Sequence, residues 1–193
     1  ENLRLHKTEG NYNSNIGMPL SMLTMKNDTE VSVLEMGMSN LGEIEYLSKI
    51  AEPDVALVTT IGSSHLENLG SRENICSAKL EIVKGLKKGG TFLLNCVWSP
   101  EELDEKLPAK VKKYIAENDI EFYTINAVDV AVKVGLGPNR INMVTQSAFF
   151  KLANVIPFDE AVELIKGAIK KTYGKKGDEI VKMNCDAVDG AIE

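Results

Sequence analysis

Residues 82–100 read IVKGLKKGGTFLLNCVWSP, and this stretch decides the fold. It carries the end of an amphipathic helix, a stop at Gly89-Gly90, a short apolar strand from Thr91 to Asn95 and a new helix start at Ser99. Ser99-Pro100-Glu101-Glu102 places a capping serine, proline at the first helical position and glutamate at the third, a strong helix start. A strand that follows one helix and precedes another, with no polar alternation, belongs to a parallel sheet covered on both faces.

The flanks repeat that grammar. Asn11, Asn13, Ser14 and Asn15 with Gly10 and Gly17 form a polar turn, and Pro19 then opens a short helix to about Thr24. EVSVLEM (30–36) reads as a strand, Ile44, Leu47 and Ile50 mark one face of a helix, and VALVTTIG (55–62) is the next strand. A helix follows over 72–88. Beyond the central strand a helix runs from Ser99 to about Asn118 with a break at Pro108, and Glu121 to Ile125 supplies a further strand. Helices are expected over 127–134, 141–154 and 158–173, and a last one from about Gly177. In the third of these, Ala161, Leu164, Ile165, Ala168, Ile169 and Tyr173 hold helical spacing, with Gly174 placed as a left-handed terminator. The expected class is α/β, a single doubly wound and mostly parallel sheet with helices on both faces and a helix-rich C-terminal third. The 193 residues suit one domain.

Composition narrows the functions. The formal net charge of −6 argues against a general nucleic-acid or anionic-membrane surface. Cys76, Cys96 and Cys185 are too scattered for a disulfide framework, a zinc site or an iron–sulfur cluster made by this chain alone. No apolar run approaches the roughly 18 residues of a membrane span, so a reducing cytoplasm is the expected setting. The chain opens at Glu1 without methionine, in mid-pattern, and an N-terminal piece is expected to be missing.

Polar residues cluster at the C-terminal ends of the expected strands, where ligands bind in open parallel sheets. Glu35 ends one strand, Ser63-Ser64-His65-Leu66-Glu67 follows the next, and Lys79 lies one helix on. A carboxylate and a histidine at neighbouring strand ends suit a divalent cation, Mg²⁺ with oxygen ligands and retained waters. On spacing alone an acidic residue at a strand end is more often a helix cap or a solvated surface group, and a lone histidine more often a structural hydrogen-bonder.

In order, Thr8-Glu9-Gly10-Asn11-Tyr12-Asn13, Ile16-Gly17-Met18-Pro19-Leu20, Leu34-Glu35-Met36-Gly37, Gly42-Glu43-Ile44, Ile61-Gly62-Ser63-Ser64-His65-Leu66-Glu67 and Ala78-Lys79-Leu80-Glu81-Ile82 resemble the central ATPase domain of the Mur ligases, of the type that adds D-alanyl-D-alanine to a UDP-muramoyl tripeptide. The resemblance covers about residues 2–90, with residues 1–88 as the Mur-ligase-like half. It implies an ATP-dependent amide ligase that activates a carboxylate as an acyl phosphate. Glu35 and His65 would help hold Mg²⁺, and Lys79 would be the carbamylated lysine. The pattern departs in three places. No GxxxxGK[ST] loop occurs, Ser14-Asn15 stands where Asn followed by an acid is usual, and Thr60 stands where asparagine is expected.

In the second half, Gly135-Leu136-Gly137-Pro138-Asn139-Arg140-Ile141-Asn142 admits two readings. A glycine turn opening a helix offers free amides and Arg140 to an anion, with Asn142 in the first turn. Alternatively Gly137 stops one helix and Asn139 caps the next. Lys166, Lys170, Lys171, Lys175 and Lys176 complement a helix end and face solvent. Phe149-Phe150 reads as core or a subunit contact.

Gly89-Gly90-Thr91-Phe92-Leu93-Leu94-Asn95, Trp98-Ser99, Phe122-Tyr123-Thr124-Ile125, Gly135-Leu136-Gly137, Arg140-Ile141-Asn142-Met143, Gln146-Ser147-Ala148-Phe149-Phe150-Lys151-Leu152, Pro157-Phe158 and Tyr173-Gly174-Lys175-Lys176-Gly177 resemble the γ-type domain of pyruvate:ferredoxin (flavodoxin) oxidoreductase. This covers about residues 85–193, residues 89–193 forming the oxidoreductase-like half. It implies a module that helps hold coenzyme A through Gly135, Gly137, Arg140 and Asn142. Thiamine diphosphate and iron–sulfur clusters would sit on other domains or subunits of a 2-oxoacid oxidoreductase. Pro138-Asn139 makes the turn one residue longer than that family's. The whole reads as a chimera, and its functional readings are three: a coenzyme A-binding oxidoreductase module incomplete as an enzyme, a Mur-ligase-like ligase fragment, or a folded chain without activity.

Overall fold

A computed structural model describes residues 3–62 and 66–192. Along the chain come β1 (Leu5–Lys7), α1 (Gly17–Leu23), β2 (Val31–Val33), α2 (Glu43–Ala51), β3 (Val55–Val58), α3 (Leu66–Leu69), α4 (Arg72–Leu80), β4 (Thr91–Asn95), α5 (Pro100–Lys106), α6 (Ala109–Glu117), β5 (Glu121–Ile125), α7 (Ala127–Lys133), α8 (Asn142–Ala153), α9 (Phe158–Tyr173) and α10 (Asp178–Asp189). The class is α/β with parallel sheets flanked by helices. Among the described residues the strands form two sheets rather than one: β1 beside β2, and β3, β4 and β5 in that order. The first is a parallel ladder of Leu5, His6 and Lys7 with Val31, Ser32 and Val33.

β4 and β5 run in parallel, because Glu121 N–H donates to Gly90 O at their start and Cys96 N–H to Ile125 O at their end. All five residues of β4 are buried, the covered central strand that its unbroken apolar run predicts. The Gly89-Gly90 turn is tied down on two sides, Gly89 N–H to Asn118 O at 2.8 Å and Thr91 N–H to Asp54 O at 2.9 Å. The chain divides into two compact units, Glu1–Phe92 with Glu102–Glu121, and Leu93–Glu101 with Phe122–Glu193.

In the first unit, Met38, Ile44, Leu69, Ile75 and Ala78 make a core cluster. The Ser71 hydroxyl caps α4 by accepting from Asn74 N–H at 3.2 Å. The helix expected over 72–88 ends sooner. After Leu80 it tightens into a 3₁₀ turn, Glu81–Gly85, that lies against α2. Glu81 caps α2 from there, its carboxylate accepting from Gly42 N–H at 2.9 Å. Ile50 is expected on the core face of α2 but is exposed, the buried residues there being Ile44, Leu47 and Ser48.

In the second unit, Asn126 caps α7 through Asp129 N–H, and buried Asn95 Oδ1 accepts from Ala127 N–H at 3.0 Å. Ala127, Ala131, Leu136, Val144 and Ala187 form one cluster and Ile165, Ile169 and Val188 another. On α9 the buried face is Ala161, Ile165 and Ile169, while Leu164 and Ala168 point to solvent. Gly174 does not terminate this helix in the left-handed region. It is right-handed and enters a 3₁₀ turn, Gly174–Lys176, and Gly177 takes the positive φ of 107°. Phe149 and Phe150 meet edge to face at 5.6 Å, with Phe150 packed on the second cluster.

Candidate functional site

Glu35 lies just past β2, exposed, and is held from two directions. Its N–H donates to Thr8 Oγ1 at 2.8 Å, and its Oε1 accepts from Asn13 Nδ2 at 2.8 Å. Asn13 O in turn accepts from Gly37 N–H at 2.7 Å. Asn13 and Gly37 also line a cavity of about 340 Å³ with Ser14, Asn15, Ile16, Met38, Ser39 and Glu43, a lining that does not include Glu35. Ser14 Oγ accepts from Gly17 N–H at 3.1 Å and fixes the start of α1.

Lys79 sits on the last turn of α4, half-buried, with its ammonium donating to Thr60 O beyond the C-terminal end of β3. Burial pushes its pKa down from the ordinary lysine value, since a charge is poorly solvated there. His65 lies outside the described residues. Among the described residues no three of His, Cys, Asp and Glu come together as a metal cage. Mg²⁺ asks for less: one or two protein carboxylates, with waters and phosphate oxygens completing the octahedron. Glu35 fits that demand, because one oxygen is engaged by Asn13 and Oε2 has no partner among the described residues.

The glycine turn at 135–142 resolves toward a helix stop, at Gly135 rather than at the expected Gly137, two residues earlier. Leu136 N–H donates to Ala131 O at 2.9 Å and Gly135 N–H to Val132 O at 3.0 Å. These are the two bonds of a Schellman motif closing α7 with Gly135 left-handed at φ 86°. Leu136 and Ala131 share a core cluster, the apolar contact that accompanies the motif. Asn139 does not cap α8. The cap position is Ile141, without a side-chain bond, and Asn142 is the first helical residue. Gly137 also has a positive φ, and its carbonyl accepts from Arg140 N–H at 3.3 Å. Arg140 is exposed, and its guanidinium has no partner among the described residues. The turn thus spends two amides on its own helix.

Asn13 was missed as a site residue. It was legible as a turn former, but nothing in its spacing announces a bond to a residue 22 positions away.

The held carboxylate of Glu35 and the half-buried Lys79 both lie beyond strand ends of a parallel α/β scaffold, the edge at which such sheets take ligands. Residues 1–160 match the Mur ligase middle domain, and the chain belongs to that family. Solved relatives include MurF from Acinetobacter baumannii, at 28% identity and TM-score 0.53 over 63% of this chain and 25% of that one. MurF ligase from Thermotoga maritima, in complex with ADP, gives 35% identity and TM-score 0.51 over 63% and 26%. The UDP-N-acetylmuramoyl-tripeptide–D-alanyl-D-alanine ligase of Bacillus subtilis is 57% identical over 90 residues, 47% of this chain and 20% of that protein. A second likeness falls on a partly overlapping segment. The pyruvate-flavodoxin oxidoreductase of Enterobacter agglomerans is 59% identical over 115 residues, 60% of this chain and 10% of that protein. The chain therefore combines two kinships and spans a tenth to a fifth of these curated relatives. No described helix is long and apolar enough to cross a membrane.

Proposed function

We propose that the chain works as the cation- and lysine-bearing part of a Mur-ligase-type ATP centre. Glu35 and His65 would hold Mg²⁺, which would supply charge neutralisation to the phosphates of ATP, and Lys79 would be the carbamylation site. The carrying observation is Lys79, half-buried and anchored on Thr60 O, with its pKa lowered by burial. The neutral amine is the form that adds CO₂. Its lone pair forms the N–C bond as one C=O π pair of CO₂ moves onto oxygen, one N–H proton leaves to solvent, and the neutral amine becomes a carbamate anion that supports a cation. The sequence holds no GxxxxGK[ST] loop, so the amide cradle for the phosphates is not assigned to these residues.

The test is ¹³C NMR of the chain in ¹³C-bicarbonate. A carbamate resonance that disappears in Lys79→Arg supports the reading, and its absence from the wild type refutes the lysine's role. Melting with and without MgATP tests the nucleotide. Ligand at 100 times its Kd adds about 2.7 kcal/mol, a rise of roughly 5–10 °C for a chain of this size.

A second reading, an oxidoreductase γ-like module that contributes to coenzyme A binding beside other domains or subunits, is favoured by the 59% identity over 115 residues. Arg140, exposed and unpaired among the described residues, is its phosphate-facing group. A melt raised by coenzyme A and restored to baseline by Arg140→Ala supports it. A sharp melt moved by neither ligand favours a folded chain without binding activity.

A further inference from the structure

Asn13 touches the end of β2 twice, through its backbone and through its side chain, on either side of Met36. Its carbonyl accepts from Gly37 N–H at 2.7 Å and its Nδ2 donates to Glu35 Oε1 at 2.8 Å. The side chain is itself walled in. A Cβ built at Gly37 would lie 2.9 Å from Asn13 Cγ and Oδ1 and 3.1 Å from Nδ2, so the amide rests on bare backbone that no other residue type leaves open. We infer that Asn13 is a positioning residue for Glu35, its side-chain amide setting the carboxylate in place for a divalent cation.

The inference rests on the cation reading above and adds to it a residue outside the cation's own ligands. An exposed glutamate samples several rotamers, and each must be given up when a cation binds. The Asn13 amide removes that loss beforehand by engaging one oxygen, while the bond from Glu35 N–H to Thr8 Oγ1 fixes the backbone beneath it. Oε2 is left without a partner among the described residues, the oxygen available to a metal that takes one carboxylate. Outer-shell donors of this kind typically change metal affinity by 10–100-fold.

The test uses the full chain and Mn²⁺ as a paramagnetic substitute for Mg²⁺, titrated by electron paramagnetic resonance. Glu35→Gln is expected to abolish saturable binding and Asn13→Ala to weaken it about tenfold, because alanine keeps the backbone bond to Gly37 and deletes only the amide. Gly37→Ala, which displaces the amide without altering it, should weaken binding to a similar degree. A second readout is direct. In ¹⁵N-asparagine-labelled wild type, Mn²⁺ at substoichiometric ratios should broaden the Asn13 side-chain amide, and the same additions should leave that resonance sharp in Glu35→Gln. Wild type that binds no Mn²⁺ sinks the cation reading and this inference with it. Binding lost in Glu35→Gln but unchanged in Asn13→Ala, with the amide resonance sharp, overturns the positioning role and leaves the cation reading standing.

Discussion

Substituting Gly85 by alanine tests the packing of the first unit with a single methyl group. A Cβ at Gly85 would fall 2.1 Å from the Ser48 carbonyl carbon, 2.2 Å from its oxygen and 2.5 Å from its Cβ. Ordinary contact starts at 3.4 Å, and the obstacle is helix backbone that cannot swing aside. The 3₁₀ turn and α2 must separate by roughly 1 Å, which forfeits a quarter to a half of the dispersion energy between the facing groups. Leu47, Ser48, Leu80 and Val83, all 0% exposed, lie in these two elements and the last turn of α4. The cost belongs at the top of the overpacking range, about 3 kcal/mol, and lowers the melting midpoint by roughly 6–12 °C. Gly85 has no positive φ, so sterics alone is tested. Gly167→Ala is the control, in mid-helix with nothing within 4 Å of the new methyl, and should stabilise by about 1 kcal/mol. Calorimetry of both variants decides. A Gly85→Ala midpoint within about 2 °C of wild type, less than 1 kcal/mol, would refute the close approach.

Gly135→Ala should destabilise by about 1–2 kcal/mol, the penalty for an L-residue in the left-handed region, with Met183 Sδ at 3.0 Å adding a contact to relieve; urea denaturation measures it. Ser147→Ala removes the buried hydroxyl that donates to Val188 O at 2.7 Å, leaving a carbonyl of the last turn of α10 short of a partner. The loss should be about 1–3 kcal/mol, read from the same urea midpoints. For Lys79 the unfolded chain binds the proton more tightly than the folded one, because the folded pKa is lowered. Its contribution to stability therefore rises with pH from the lowered folded value up to the ordinary lysine value. Urea curves across alkaline pH should show that rise in wild type and lose it in Lys79→Met.

How much of this was legible in sequence depends on the range of the forces involved. β4 and β5 appear where the residues put them, Thr91–Asn95 and Glu121–Ile125, and the break at Pro108 falls between α5 and α6. Those signals are local: a glycine pair, an apolar run, a missing N–H. β1 went unseen because Leu5-His6-Lys7 is short, mostly exposed and paired to a strand 26 residues on. The early end of α4 is likewise long-range, set by the approach of Ser48 to Gly85. The glycine turn misled by two residues since Gly135 and Gly137 both adopt positive φ, and only the bond from Leu136 to Ala131 says which one closes the helix. Glu35 and Lys79 were named from strand-end placement, but their partners Asn13 and Thr60 O come from other parts of the chain.

Glu35 follows directly on a ladder of only three residue pairs, most of whose side chains are in solvent. So small an element has little to oppose fraying, and transient opening there costs less than opening around the buried β4. Exchange of the Val31–Val33 amides with deuterated solvent should accordingly run ahead of exchange at Leu93 and Leu94. Anything captured by Glu35 would then be felt first as a slowing of that exchange, so occupancy of the site and order of the strand beneath it form one linked equilibrium.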